Sequence, residues 1–415
     1  MLIRCRLLLT QFCGLMLIAC SSPKATSPID AVLASAVESG KIPGVIAVAA
    51  TSDEVFYEGM AGTRDMESGT GMTADTIFQI ASMTKAITSV AVMQLVEQGE
   101  IELDRAIGFY VPRFADRQVL VGFDEKDEPI LRPAESSPTV RQLLTHTSGY
   151  AYEIWNADAA RYAASGYVSS ILNGGDGFLG APLMSDPGTK WEYGISTDIL
   201  GVMVEEISGQ SLDDYFREHI LKPLGMTDTY YVVPDEKLPR LATAYSKSEQ
   251  GELTPIPYSR SSGDFFSGGG GLKSTAGDYI RFMQAILNDG ELDGVRILSA
   301  TSVDLIAQNH IGDLEAADSV VTSIPYLSND FNFMPDSADK FGLGFLINTD
   351  PIPGGRSAGS LAWAGLYNSY YWIDRNKNIC GVLITQILPF YDADVLALLN
   401  EFETAAYAAA ESAGN

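Results

Sequence analysis

Strand-like runs stand at both ends of this chain and helical periodicity fills its middle, which leaves few ways to close a fold. Near the start, Val45 to Ala50 and Val55 to Gly59 are strand-like and joined across Ser52-Asp53-Glu54 in hairpin fashion. Near the finish, Gly342 to Ile347, Ser369 to Ile373 and Ile379 to Gln386 read the same way, the last two joined across Asp374-Arg375-Asn376-Lys377. Ser27-Pro28-Ile29-Asp30 has the form of an N-cap followed by proline at the first helical position, with Gly40 as the stop. A last helix is expected over Asp392 to Ala410. Strands from both termini around a helical middle predict an α/β (α+β) fold: one antiparallel sheet built from both ends and flanked by helices, plus a mainly helical inserted domain. The expected division is residues 28–81 and 232–412 for the sheet domain and residues 82–231 for the helical one, with the active site between them.

The first residues read as a processing signal. Arg4 and Arg6 precede apolar runs at Leu7-Leu8-Leu9 and Leu15 to Ile18 that are short for a membrane span. The segment ends Leu17-Ile18-Ala19-Cys20-Ser21-Ser22, which resembles the bacterial lipoprotein cleavage box. The expectation is a signal peptide over residues 1–19, lipidation at Cys20, a linker over residues 20–27, and a periplasmic or outer-membrane location held by lipid alone. Only Cys380 then remains for the mature body, in the apolar run Ile379 to Ile384, where it serves as a small hydrophobe. The net charge of −26 argues against nucleic acid and anionic membrane surfaces as partners.

Chemistry concentrates at Ser82-Met83-Thr84-Lys85, where a hydroxyl and an amine lie one helical turn apart. A serine hydroxyl is a poor nucleophile until a neighbour takes its proton, and lysine can help. The same four-residue pattern recurs at Ser21 to Lys24 and Ser337 to Lys340, but only Ser82 follows an apolar stretch and opens a periodic helix (Ile87, Val90, Ala91, Met93, Leu95) that ends at Gly99. The esterase-like Gly355-Arg356-Ser357-Ala358-Gly359 follows Pro351 and Pro353 and precedes a strand, the wrong flanks for a nucleophile elbow. His146, His219 and His310 show no ligand spacing, so no metal is expected. Gly268 to Gly271 lacks the Gly-Lys-Ser/Thr of a phosphate loop and reads as a tight loop that allows close backbone approach. Without a histidine base, Tyr193 in Trp191-Glu192-Tyr193-Gly194-Ile195-Ser196 is a candidate acceptor for the proton of Ser82.

Ser82-x-x-Lys85, Tyr193 and Trp363-Ala364-Gly365 together resemble the three signatures of the penicillin-recognising serine hydrolases, which include class C β-lactamases, D,D-peptidases and the family VIII carboxylesterases. Leu143 to Gly149, Tyr193 to Glu205, Gly268 to Phe282 and Trp363 to Gln386 support the likeness, which runs from about Ile29 onward. Two departures stand out. Ile195 occupies the place of an asparagine that contacts the drug's amide, and Trp363 that of a lysine that helps bind its carboxylate. Trp-x-Gly resembles the family VIII esterases. The resemblance implies that Ser82 attacks a carbonyl, that Lys85 or Tyr193 is the base, and that the backbone N–H groups of Ser82 and Leu366 form the oxyanion hole. Trp363, Gly365 and Ile195 would contact substrate, with no metal or cofactor. The function expected is hydrolysis of short-chain, neutral carboxylic esters. β-Lactam or cell-wall peptide hydrolysis is the alternative, and a non-catalytic binding lipoprotein on the same scaffold is a second. Oligomeric state stays open.

Overall fold

The computed structural model describes residues 27–260, 264–333 and 337–413. The expected signal peptide and Cys20 lie outside these residues. The first helix, α1 (Pro28–Glu38), begins as its sequence requires: Ser27 caps it in a capping box with Asp30, and Gly40 follows its end at φ +73°. Such a cap contributes about 1 kcal/mol.

The main sheet draws on both ends of the chain. Its strands are β1 (Gly44–Ala50), β2 (Val55–Asp65), β3 (Thr70–Gly71), β4 (Lys340–Phe341), β5 (Leu346–Ile347), β6 (Leu361–Gly365), β7 (Ser369–Asp374) and β8 (Ile379–Ile384). They lie in the order β4-β5-β6-β7-β8-β1-β2-β3, and all pairings are antiparallel. The register places Val48 opposite Val382, so the N-terminal strand completes a sheet begun by the C-terminal ones.

Strands β1, β6, β7 and β8 are buried at every residue, because helices cover both faces. Successive side chains of a strand point to opposite faces. Tyr371 meets Tyr279 of α4 (Ala276–Leu287), whereas Trp372 meets Phe402 and Tyr407 of α5 (Ala393–Ala413). Full coverage explains why these strands read as apolar runs without alternation. Cys380 is buried in β8 with no disulfide.

Between residues 82 and 231 the regular elements are helices, apart from one hairpin, Gln118–Phe123 with Pro129–Pro133. The longest are α2 (Thr84–Glu97) and α3 (Ser196–Ser208), which pack against each other. Every residue of α2 from Thr84 to Leu95 is buried, so this is a central helix rather than an amphipathic surface one.

Three expectations are corrected. The run Gly342 to Ile347 is not one strand: β4 and β5 flank a turn in which Gly342 N–H donates to Phe345 O, and Gly344 at φ +94° lies against Ser89. The run Ile379 to Gln386 ends at Ile384, and Ile387–Leu388 joins Ala244–Lys247 in a separate small sheet. Ser82 does not begin the α-helix. It lies in the 3₁₀ turn Ala81–Met83, and the helix starts at Thr84. Among the described residues no helix is long and apolar enough to cross a membrane.

Candidate active site

Ser82 sits on a constrained turn. Ala81 before it has φ +43°, a region that costs an alanine on the order of 1 kcal/mol. The pairing of Phe78–Gln79 with Lys273–Ser274 fixes the entry to this turn, and α2 fixes its exit. On the far side Gly365 ends β6 directly above it: a Cβ there would fall 2.5 Å from Ile80 O. Only glycine lets the strand come this close to the turn carrying Ser82. Gly365 therefore acts through backbone approach.

Lys85 is 2 % exposed and its ammonium is fully occupied. Nζ donates to Gly269 O at 2.6 Å, to Tyr152 Oη at 3.0 Å and to Ser82 Oγ at 3.2 Å. An ammonium has three donors, so none is left over. Two of these bonds have a fixed direction. Gly269 O can only accept, and Tyr152 gives its own proton to Asp198 Oδ2 at 3.2 Å. Burial first, and then the Asp198 carboxylate, push the Tyr152 phenol far above its ordinary pKa, so it stays protonated. Tyr152 is thus a spacer that orients Lys85. Only the bond between Lys85 and Ser82 is free to reverse, which keeps the identity of the base open between Lys85 and Tyr193.

Asp198, 1 % exposed in the first turn of α3, anchors this network. Besides Tyr152 it accepts from Ser267 Oγ at 2.5 Å and from Gly269 N at 3.0 Å. The glycine run does what its composition suggests. A Cβ on Gly268 would fall 2.5 Å from Thr197 O, and one on Gly269 would fall 2.4 Å from Asp198 Oδ2. Closeness at Gly269 is what delivers its carbonyl to Lys85.

Tyr193 lies just before α3 and is 5 % exposed. Its hydroxyl accepts from Trp363 Nε1 at 3.2 Å. Lys85 stands over the Tyr193 ring, 4.8 Å from its centre, a cation–π contact and not a bond to the hydroxyl. Lys85 therefore bonds to the Ser82 hydroxyl but meets Tyr193 only through its ring. The indole N–H holds the Tyr193 oxygen, so Trp363 has a positioning role beside any substrate contact.

Ser82 lies where two hollows meet. One is a small aromatic pocket lined by Trp155, Tyr193, Phe331, Phe333, Trp363 and Phe390, with Gly365 and Leu366 at its edge. The other is a cleft of about 600 Å³ with a mixed lining that includes Gln79, Tyr152, Arg260, Gly271 and Lys273. Ser82, Trp155 and Leu366 border both. Ile195 lines neither: it is 3 % exposed and turns into a separate hollow beside Ala151, Tyr162 and Met184. The backbone turn into α3 directs it away from Ser82, which removes it from the substrate-contacting residues.

The other sequence candidates fall elsewhere. Ser357 is in the loop between β5 and β6, and its N–H donates to Asp374 Oδ2. His219 shares a bond with Gln210, and His310 sits between Arg141 and Leu305 O. His146 packs against Tyr193 with ring centres 5.0 Å apart, but burial and the Lys85 charge hold its pKa well below the usual imidazole value. It is a neutral packing ring. Among the described residues no cluster of His, Cys, Asp and Glu is arranged to hold a metal ion. Tyr152, Asp198 and the aromatic pocket are the parts that motif reasoning missed.

Comparison with known proteins follows the geometry. The family model described as Beta-lactamase matches residues 29–406. Lovastatin esterase of Penicillium rubens is 30% identical over 390 residues, covering 90% of this chain and 96% of its own. Monacolin J acid methylbutanoyltransferase of Aspergillus terreus is 30% identical over 396 residues, covering 92% and 95%. The solved structure of simvastatin synthase from Aspergillus terreus superposes with a TM-score of 0.81 at 28% identity, covering 92% of this chain and 97% of that one.

Proposed function

This chain belongs to the beta-lactamase family, and on that premise we propose that it is a carboxylesterase that forms an acyl-enzyme through Ser82. Its family and its esterase and acyltransferase relatives make it a hydrolase or acyl-transfer enzyme. The observation that carries the finer reading is the 3.2 Å contact between Lys85 Nζ and Ser82 Oγ at the mouth of an aromatic pocket shared with Tyr193.

In this mechanism Ser82 Oγ attacks the ester carbonyl as its proton passes to the Lys85–Tyr193 pair. The oxyanion is held by the N–H groups of Ser82 and Leu366, both at the pocket edge. Losing one such donor typically costs about 10²–10³ in rate. Collapse of the tetrahedral intermediate breaks the bond to the alcohol oxygen, which takes the proton. Water then attacks the acyl-enzyme by the same route. The aromatic pocket suits a short acyl group, and the wider cleft suits the alcohol half.

The preference for esters over lactams rests on the aromatic pocket, since Ile195 does not reach the site. Six aromatic rings line it, and among the described residues no cationic side chain does. An apolar pocket discriminates by shape, whereas a β-lactam needs partners for its polar groups. kcat/KM for a short-chain p-nitrophenyl ester should exceed that for a chromogenic cephalosporin by at least about 10², the worth of one or two lost charge-assisted contacts. Steady-state kinetics on the two substrates checks this. Equal or greater efficiency on the cephalosporin assigns the chain to lactam chemistry.

Acyl transfer to an alcohol is a second reading, favoured by the size of the cleft beside Ser82. An alcohol seated there would replace water as the acceptor. Product analysis with an added alcohol decides it: transfer gives a new ester in place of free acid.

A further inference from the structure

Lys273 is a buried cation that the acyl-transfer machinery does not use. Its two-residue strand pairs with Phe78–Gln79, and its direct partner Gln79 lies three residues before Ser82. Reciprocal 2.8 Å backbone bonds with Tyr230 fix it on the other side. The residue is 8 % exposed, in the wall of the cleft that Ser82 borders.

Nζ donates to Tyr231 O and to Gly271 O, each at 3.0 Å. An ammonium has a third donor, and among the described residues no carboxylate pairs with this one. Lys247 shows the contrast: it holds Asp392 and Asp394. Desolvation alone draws the Lys273 pKa down to about 8. Close by, the Tyr258 ring centre is 6.0 Å from Nζ, and the Tyr258 hydroxyl is buried without a hydrogen-bond partner. The Lys273 ammonium, with one donor left over, therefore stands in the cleft wall near the Tyr258 ring. An apolar residue would line a wall for a neutral ligand at less cost, because a buried ammonium is expensive until an anion meets it. Arg260 lines the same cleft but is committed to Asp235 and Val233 O.

We propose that Lys273 anchors a carboxylate on the alcohol half of the substrate, the half that occupies the cleft while the acyl group fills the aromatic pocket. The assignment of the two halves rests on reading Ser82 as the nucleophile. It narrows the expectation of a neutral substrate: the scissile ester is neutral, but the distal end of the alcohol is not. The acidic surface does not prevent this. Its field is screened over about 10 Å at ordinary salt and acts on association, whereas a desolvated contact is screened far less.

Acetyl esters of hydroxyalkanoic acids of increasing chain length, each paired with its primary amide, test the proposal. For at least one chain length the carboxylate ester should show a ten- to hundredfold higher kcat/KM than its amide, the usual worth of one charge-assisted bond. In Lys273→Gln the ratio should fall to near one, while Lys273→Arg should retain a preference. Turnover of the amide esters reports that each variant is folded. Calorimetry of the free hydroxy acid and hydroxy amide on the Ser82→Ala protein reads the same preference without catalysis. Carboxylate-selective binding that disappears in Ser82→Ala/Lys273→Gln supports the anchor even if no ester is cleaved, an outcome that would remove only the esterase reading. No carboxylate preference at any length in either measurement, or a preference that survives Lys273→Gln, overturns it.

Discussion

Ser82→Ala should lower ester hydrolysis by at least about 10⁴-fold, because removing a covalent nucleophile leaves only the rate enhancement that binding and the oxyanion donors supply. A fluorophosphonate should label the wild-type protein on the peptide that contains Ser82, as read by mass spectrometry, and the variant should take no label there. The expectation follows from placement. Ser82 borders both hollows and contacts Lys85, while Ser357 lies in a loop between two strands with its N–H committed to Asp374. Ser357→Ala should therefore leave the rate within about twofold, as surface-loop substitutions usually do. The same experiment separates three readings. Label on Ser82 fits acyl chemistry of any kind, label on Ser357 moves the site to the esterase-like pentapeptide, and no label on any serine fits a scaffold kept for binding.

What the sequence disclosed depended on how local each signal was. The strands β1, β7 and β8 were legible because short apolar runs bounded by turn residues need no distant information. Ser82 and Lys85 drew notice for the same reason: two residues three positions apart are a local fact. Tyr152 was not. It sits in a loop with no periodicity, and its role exists only because Lys85 reaches it across 67 positions. Asp198 looked like an ordinary acidic residue in the first turn of a helix, yet it is buried and holds Tyr152, Ser267 and Gly269 together. The aromatic pocket was hidden too, since Trp155, the Phe331 and Phe333 pair, and Phe390 come from three separate segments. Ile195 shows the opposite error. Counting two residues on from Tyr193 gave it a place at the substrate, but the chain turns into α3 there and carries its side chain elsewhere.

Tyr193→Phe and Lys85→Ala should each reduce kcat by about 10²–10⁴, the range that general acid–base groups contribute, and the double variant should be little worse than the worse single one. Non-additivity is expected because the groups serve one proton path. Lys85 contacts Ser82 Oγ and stands over the Tyr193 ring, and Tyr193 opens on the same pocket as Ser82. With either partner gone, the other has no complete route for the serine proton, so its own removal has little left to cost. Trp363→Phe adds a graded test. It keeps an aromatic wall but deletes the N–H that holds the Tyr193 oxygen at 3.2 Å. If Tyr193 carries negative charge during the reaction, losing that donor should lower kcat more than KM changes and move the alkaline limb of the pH profile, while a wall residue alone would alter KM and leave the profile in place. Single losses that simply multiply in the double variant would assign Lys85 and Tyr193 to separate tasks, with the lysine supporting the fold of the Ser82 turn through Gly269 and Tyr152.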